Sequence, residues 1–182
     1  MKGSALASRV LWIQLNHGAG GVAKLRAAAS APLVEAIDAG IAKARWYPLR
    51  LFYELNVLID RLFGAGDLSL IKELGRHGAD ANLTTIYRLF YKVGTAHWLL
   101  GRAVRLWSAH YDTGHLEVLA GGLRSAILRV HAFAIPDRVH CLSVLGWCER
   151  SIELSGGWSV WSDEPFCRTR GDAYCQFEAS WE

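Results

Sequence analysis

The four cysteines are the side chains of this sequence best suited to chemistry, and all of them lie in its last 42 residues: Cys141, Cys148, Cys167 and Cys175. Residues 1–15 make a poor signal peptide, because Arg9 interrupts the apolar run, so we expect a cytoplasmic protein. In such a reducing environment, clustered cysteines act as metal ligands, catalytic groups or core residues more often than as disulfides. Their clustering therefore predicts a local site.

The spacing of the cysteines selects three of the four. Cys167 and Cys175 lie four residues before and after Gly171, and a hairpin in that register places both sulfurs close enough to bind one tetrahedral ion. Cys141 falls in the first turn of the preceding predicted helix, where the helix dipole favours a thiolate. Cys148 follows seven residues later, about 10.5 Å further along the axis. It is therefore a poor partner for Cys141 at one ion.

A fourth ligand must come from another side chain, and Glu164 is the nearest carboxylate before Cys167. In a regular strand these two positions point to opposite faces. Pro165 can remove the conflict, because proline in a sheet lies at edges or bulges, where the local twist re-aims a side chain. His140 is a competing ligand, although it is rotated by ~100° from Cys141 around the helix. We rank Glu164 first.

The elements that must position these residues change in character along the chain. Apolar residues recur at helical spacing through most of the first 110 residues. Beyond them, alternating segments predict two β-hairpins separated by a helix at 138–154, with strands at 115–119, 125–133, 158–167 and 173–181. Helices followed by a small antiparallel sheet predict an α+β fold, in which the C-terminal half has the order helix-β-β-helix-β-β.

Glycine-rich segments predict where the N-terminal helices end. A helix at 5–15 is expected to end in the segment 16–21, and a helix that ends at Leu74 is expected to be followed by a connection at 75–80. The next apolar stripe, at 83–93, predicts a further helix. The glycines of the first segment lack a preceding strand and a GKS or GKT ending, so they do not predict a phosphate-binding loop.

Composition narrows the class of protein. The chain has 182 residues, of which 52% are hydrophobic and 20% charged, which predicts one domain over 1–182 with a helical part at 1–79. A net charge of +3 is too small and too scattered for a nucleic-acid-binding surface. No apolar stretch reaches the roughly 18 residues of a membrane span. No serine or cysteine has a recognisable base and orienting group, so we expect no enzyme.

The order of the candidate ligands carries a resemblance to a known family. Cys141, Glu164, Cys167 and Cys175, with Gly171-Asp172 and Gln176-Phe177 near the end, resemble the 4-vinyl reductase domain over residues 80–182. That family includes the sensing domains of phenol-responsive activators and shares its fold with transport-protein-particle subunits. The resemblance implies that the four residues hold a structural zinc. The whole chain is also similar to myxobacterial proteins of unassigned function.

The resemblance further implies a homodimer with a pocket between helices and sheet. The aromatic residues expected at that pocket are His97, Trp98, Trp107, His110 and Tyr111; the alternative is that they are core or interface aromatics. We therefore predict a non-enzymatic, cytoplasmic domain that binds or senses a small apolar or aromatic molecule. The alternatives are an assembly subunit like the transport-particle components and a tetrapyrrole-related accessory protein or enzyme.

Overall fold

A computed structural model describes residues 1–83, 96–119 and 121–182. The predicted helical stripe at 83–93 lies outside these residues except for its first position. Six helices are described: α1 (Gly3–Ala28), α2 (Ala31–Asp38), α3 (Leu49–Phe63), α4 (Leu70–Leu83), α5 (Ala96–His110) and α6 (Arg138–Leu154). None of the described helices combines the length and the apolar character needed to cross a membrane.

The described strands are β1 (His115–Leu119), β2 (Ser125–His131), β3 (Trp161–Phe166) and β4 (Cys175–Ser180). They form one four-stranded antiparallel sheet in the order β1-β2-β4-β3. Helix α6 follows the first hairpin and precedes the second, and a short 3-10 helix, Arg168–Arg170, lies in the turn between β3 and β4. The predicted α+β class is thus confirmed.

Two apolar cores hold these elements together. The first joins α1, α3 and α4 through side chains such as Leu6, Leu55 and Leu74, each fully buried. The second lies between the sheet and helices α5 and α6, and it contains the cysteines. Burying an aliphatic side chain contributes roughly 1.5–3 kcal/mol, so both cores are substantial sources of stability.

Helix α1 spans the glycine segment where the sequence predicts an end, but its backbone is not helical at Gly18. It is helical from Gly3 to Ala28, with a kink at Gly18, whose φ is +60°. A single residue in this left-handed region, which glycine adopts without a Cβ clash, redirects the chain and lets the helix resume. The predicted break in the segment 16–21 is therefore confirmed at Gly18, where two helical segments meet at a kink.

Helix α4 continues through its glycines, so the predicted connection at 75–80 is wrong. A Cβ on Gly75 would lie 2.3 Å from the carbonyl oxygen of Ser143 in α6, and a Cβ on Gly146 would lie 1.8 Å from the carbonyl oxygen of Lys72 in α4. The two helix backbones are therefore in direct contact at glycines. This packing outweighs the roughly 1 kcal/mol that glycine costs inside a helix.

Candidate functional site

Three cysteines and one glutamate meet where α6 reaches the β3–β4 hairpin. Their ligand atoms lie within 4.8 Å of one another, and Cys141, Glu164, Cys167 and Cys175 are all buried; we call this group the cysteine cluster. The Cys141 sulfur lies 3.7 Å from that of Cys167 and 3.8 Å from that of Cys175. Three sulfurs and a carboxylate at these separations match the donor set of a tetrahedral metal site.

Glu164 reaches the cluster because β3 is irregular. The pairing of β3 with β4 shifts register between Asp163 and Phe166, around Pro165, which has no N–H to donate to a neighbouring strand. One oxygen of Glu164 pairs with the Arg138 guanidinium. Its other oxygen, Oε1, is buried and has no hydrogen-bond partner among the described residues. A buried acceptor without a donor can bind a cation.

Hydrogen bonds to the sulfurs shift the pKa values of Cys141 and Cys175 in opposite directions. The thiol of Cys141 lowers the pKa of Cys175 to about 7, and the same contact, with burial, raises the pKa of Cys141. The backbone N–H of Arg168 also lies 3.4 Å from the Cys175 sulfur. Cys175 therefore forms a thiolate, the form in which cysteine binds metals, more readily than Cys141.

The structure does not bring the two competing residues into the cluster. His140 packs in an aromatic group, with its ring stacked 4.3 Å from that of Phe133, and burial lowers its pKa to about 3, so it is neutral. Cys148 is buried elsewhere on α6, where burial and the charge of Glu149 raise its pKa to about 12. It is a protonated thiol at neutral pH and a poor nucleophile.

A cavity of about 470 Å³ lies between the N-terminal helices, α5, α6 and the sheet; we call it the central cavity. Its volume is that of a small-molecule site. Three of the aromatic residues predicted at a pocket line it: Trp107, His110 and Tyr111. His97 and Trp98 belong to α5, but their side chains are outside what the structure describes. Cys148 also contributes to the wall, so α6 borders both the cavity and the cysteine cluster.

One histidine of the cavity wall has a ring nitrogen free for a ligand. The Nδ1 atom of His110 lies 2.8 Å from the carbonyl oxygen of Leu106, one turn earlier in α5. Because a carbonyl can only accept, Nδ1 is the donor in this contact, and in the neutral ring Nε2 then has the lone pair. A backbone carbonyl that fixes one nitrogen in this way leaves the other ready to bind a metal.

Sequence reasoning missed the polar groups of the cavity wall. Arg9 is 3% exposed and lines the cavity, as does Ser4, whose hydroxyl is buried without a partner among the described residues. The signal was present, since Arg9 lies within the apolar run of the first helix between Leu6 and Ile13. The apolar pattern alone makes Arg9 look like an interruption. A long, positively charged side chain at an apolar position also predicts a buried polar contact.

Comparisons with known proteins give matches at the level of structure alone. No protein family's sequence profile matches the chain, and no curated protein matches it. The chain is similar to the crystal structure of an H-NOX protein from S. oneidensis in the Fe(II)NO ligation state, with a TM-score of 0.75, 14% identity, and 100% of this chain and 99% of that one covered.

Two further structures have the same fold. One is an oxygen-binding H-NOX domain related to soluble guanylate cyclases, with a TM-score of 0.69, 9% identity and coverage of 100% and 95%. The other is described for modulation of heme redox potential through protein-induced porphyrin distortion, with a TM-score of 0.70, 10% identity and coverage of 100% and 95%.

These findings correct two predictions. The neighbours are H-NOX proteins, so the resemblance to the 4-vinyl reductase domain is contradicted. The prediction of zinc as the cofactor is contradicted as well, since the neighbours are described with iron(II) and heme. Both predictions were based on four residues between Cys141 and Cys175, in α6 and the last hairpin. The structural likeness extends over the whole chain. The chain has the fold of the H-NOX proteins.

Proposed function

We propose that this protein is a non-enzymatic sensory domain that binds heme in the central cavity and, through it, a diatomic gas. The observation that carries the proposal is His110, whose free Nε2 belongs to a residue on the wall of a 470 Å³ cavity. The fold supports it, because neighbours with this fold are described with NO or oxygen bound. The same neighbours agree with the prediction that the domain is not an enzyme.

The cavity residues fit a heme in three respects. The walls are mainly apolar, as a porphyrin ring requires, and include Trp107 and Leu128. His110 offers an imidazole, the protein ligand of iron in many heme proteins. Arg9 and Lys43 line the same cavity and offer cations for the porphyrin's carboxylate groups. Bound heme would supply an iron atom with an open coordination position for a gas.

The chain's own contribution is to hold the side chains of this site in fixed orientations. The carbonyl of Leu106 fixes the His110 ring, and the Trp107 indole donates to the carbonyl oxygen of Thr113 at 3.2 Å. Trp107 also stacks on Tyr111, with ring centroids 4.3 Å apart. These contacts order the aromatic part of the cavity wall.

Titration of the purified protein with hemin tests the proposal. We expect saturation at one equivalent, a sharp Soret band, and a shift of that band when the reduced protein is exposed to CO or NO. His110→Ala should weaken hemin binding by at least tenfold and broaden the band, whereas His115→Ala, at an exposed position of β1, should leave both unchanged. Binding without saturation, or equal binding by the two variants, would reject the proposal.

We also propose that the cysteine cluster holds a metal ion, which would join α6 to the β3–β4 hairpin. The donor set is Cys141, Glu164, Cys167 and Cys175. Its support is the carboxylate of Glu164, which lies within 4.8 Å of the three sulfurs and whose buried Oε1 has no hydrogen-bond partner among the described residues. Thiolate-rich sites favour soft or borderline transition metals. The homodimer and the cytoplasmic location stay predictions.

A further inference from the structure

Arg9 is a buried cation without a counter-ion. None of the ion pairs among the described residues includes it, and residues 84–95, outside the description, contain no Asp or Glu. Burial lowers its pKa only to about 10, so it is charged at neutral pH. A charge removed from water is costly unless an opposite charge or several hydrogen bonds compensate it.

The neutral partners of Arg9 leave part of its guanidinium unused. Nε donates to the side-chain oxygen of Asn56 at 2.8 Å, Nη1 to the hydroxyl of Ser8 at 3.2 Å, and Nη2 to the hydroxyl of Ser143 at 2.7 Å. A guanidinium has five N–H groups. Two therefore have no acceptor among the described residues, and one lies on each of the terminal nitrogens that bind a carboxylate side by side.

Two other buried charged residues among those described, Glu149 and Asp60, show a different arrangement, because hydrogen bonds or ion pairs engage both of their carboxylate oxygens. Glu149 pairs with Lys72 at 2.6 Å and with Arg76 at 3.4 Å. Asp60 accepts the backbone N–H groups of Leu68 at 2.8 Å and Leu70 at 3.2 Å. Arg9 differs from both, because two of its N–H groups have no acceptor among the described residues.

The surroundings of Arg9 are shaped to leave its head group at the cavity. A Cβ on Gly78 of α4 would lie 2.7 Å from Nη1, so glycine at this position makes room for the guanidinium. The unpartnered hydroxyl of Ser4 lies on the same cavity wall, five residues before Arg9 in α1, and can donate to a second oxygen. The rest of the wall is mostly apolar, with side chains such as Phe52 and Leu116.

We propose that the central cavity binds a molecule with an apolar body and a carboxylate group, and that Arg9 is the anchor for that carboxylate. The inference rests on the proposed use of this cavity as a receptor site, but it does not require heme. The carboxylate can belong to a porphyrin side chain or to a free apolar acid. In either case it completes the hydrogen bonds of Arg9 and neutralises its charge.

Paired ligands that differ only in the carboxylate test this inference. The first pair is hemin and hemin dimethyl ester, followed by absorbance; the second is dodecanoic acid and its methyl ester, followed by quenching of tryptophan fluorescence from the cavity residues Trp107 and Trp147. In at least one pair, we expect the acid to bind the native protein tenfold or more tightly than the ester. This comparison requires no variant.

Variants then assign the effect to Arg9. Arg9→Gln should bind acid and ester equally, while Arg50→Gln, the same change at an exposed position of α3, should keep the native preference. If Arg9→Gln does not fold, Arg9→Lys, which keeps the charge but loses the planar fork, should show a reduced preference.

The outcomes separate this inference from the heme proposal. A preference in the hemin pair supports both proposals. A preference in the dodecanoic acid pair alone supports the anchor at Arg9 for a free apolar acid, and heme is rejected if hemin also fails to saturate the protein at one equivalent. No preference in either pair overturns the anchor, even if hemin binds through His110. A preference that survives in Arg9→Gln also overturns it and points to another cation, such as Lys43.

Discussion

The cysteine cluster and the central cavity are both bordered by α6, but they differ in how their space is used. In the cluster, four ligand atoms lie within 4.8 Å of one another, which leaves room for one ion. The cavity has a volume of about 470 Å³, enough for a molecule of many atoms. The first region suits a structural role, since nothing larger can enter, and the second suits a receptor.

A single helix connects the two regions. Cys141 belongs to the cluster and Cys148, seven residues later, to the cavity wall, so the two thiols serve different surroundings about 10.5 Å apart along the axis. A ligand that moves α6 from the cavity side would therefore act on the cluster as well. Residue type alone therefore does not distinguish a candidate metal ligand from a residue of the cavity wall, whereas position along α6 does.

The largest effect is expected from replacing one cysteine in each region. Cys175→Ser should reduce bound metal more than tenfold and lower the free energy of unfolding by about 4 kcal/mol, because a lost metal removes its binding energy from the folded state. Cys148→Ser should keep the metal. Metal analysis of heme-free protein, and cobalt(II) titration followed by thiolate-to-cobalt absorption, measure this. Metal loss in Cys148→Ser alone would reverse the assignment.

A second prediction concerns the packing of α6, the helix that borders both regions, against α4. In Gly146→Ala the new methyl group would lie 1.8 Å from the Lys72 carbonyl oxygen, so α4 and α6 must separate. We expect a loss of about 2–3 kcal/mol and a Tm lower by roughly 5–10 °C, measured by circular dichroism. Gly20→Ala in α1, whose added methyl meets no atom within 4 Å, is the control and should not lower Tm. Equal Tm values would contradict the backbone contact.

The smallest expected effect is on the pH dependence of stability, and it concerns His77. Burial, and then the charge of Arg9, lower the pKa of His77 from its ordinary value of 6.5, and its Nε2 is buried without a partner among the described residues. The unfolded chain therefore binds this proton more readily than the folded one. Stability is present in full above pH 6.5 and is lost as the pH falls towards the folded-state pKa.

His77→Gln should therefore have a flatter dependence of Tm on pH between 7.5 and 5.5 than the native protein, by a modest margin. His115→Gln, at an exposed strand position, serves as the matched control and should follow the native curve. A ligand carboxylate at Arg9 should weaken the native pH dependence, because it offsets the cation that opposes protonation of His77. Parallel curves for the native protein and His77→Gln would refute this account.

Local signals made the C-terminal half predictable. The helix predicted at 138–154 is α6, because the side chain of Asp137 caps its first turn by accepting the N–H of Val139 at 2.8 Å. Gly171, with a φ of +97°, makes the turn that brings Cys167 and Cys175 together. The four side chains selected by spacing do lie together, and the ion that they hold stays a prediction.

Long-range contacts account for the features that the sequence did not predict. Gly75 reads locally as a helix end, and only its contact with Ser143, 68 positions later, explains why α4 continues. Arg9 reads as an interruption until Asn56 and Ser143 are seen to bind it. The cofactor was beyond reach for the same reason, since the cavity is built from segments spread over the whole chain.

The irregular strand β3 has a consequence for assembly. It is one of the two outer strands of the sheet, and Pro165 removes a backbone donor from it at the point where its pairing with β4 shifts. An edge with a missing donor and a local kink is a poor template for another strand. A partner that extends this sheet would therefore add to the opposite edge, at β1, and leave the cysteine cluster undisturbed.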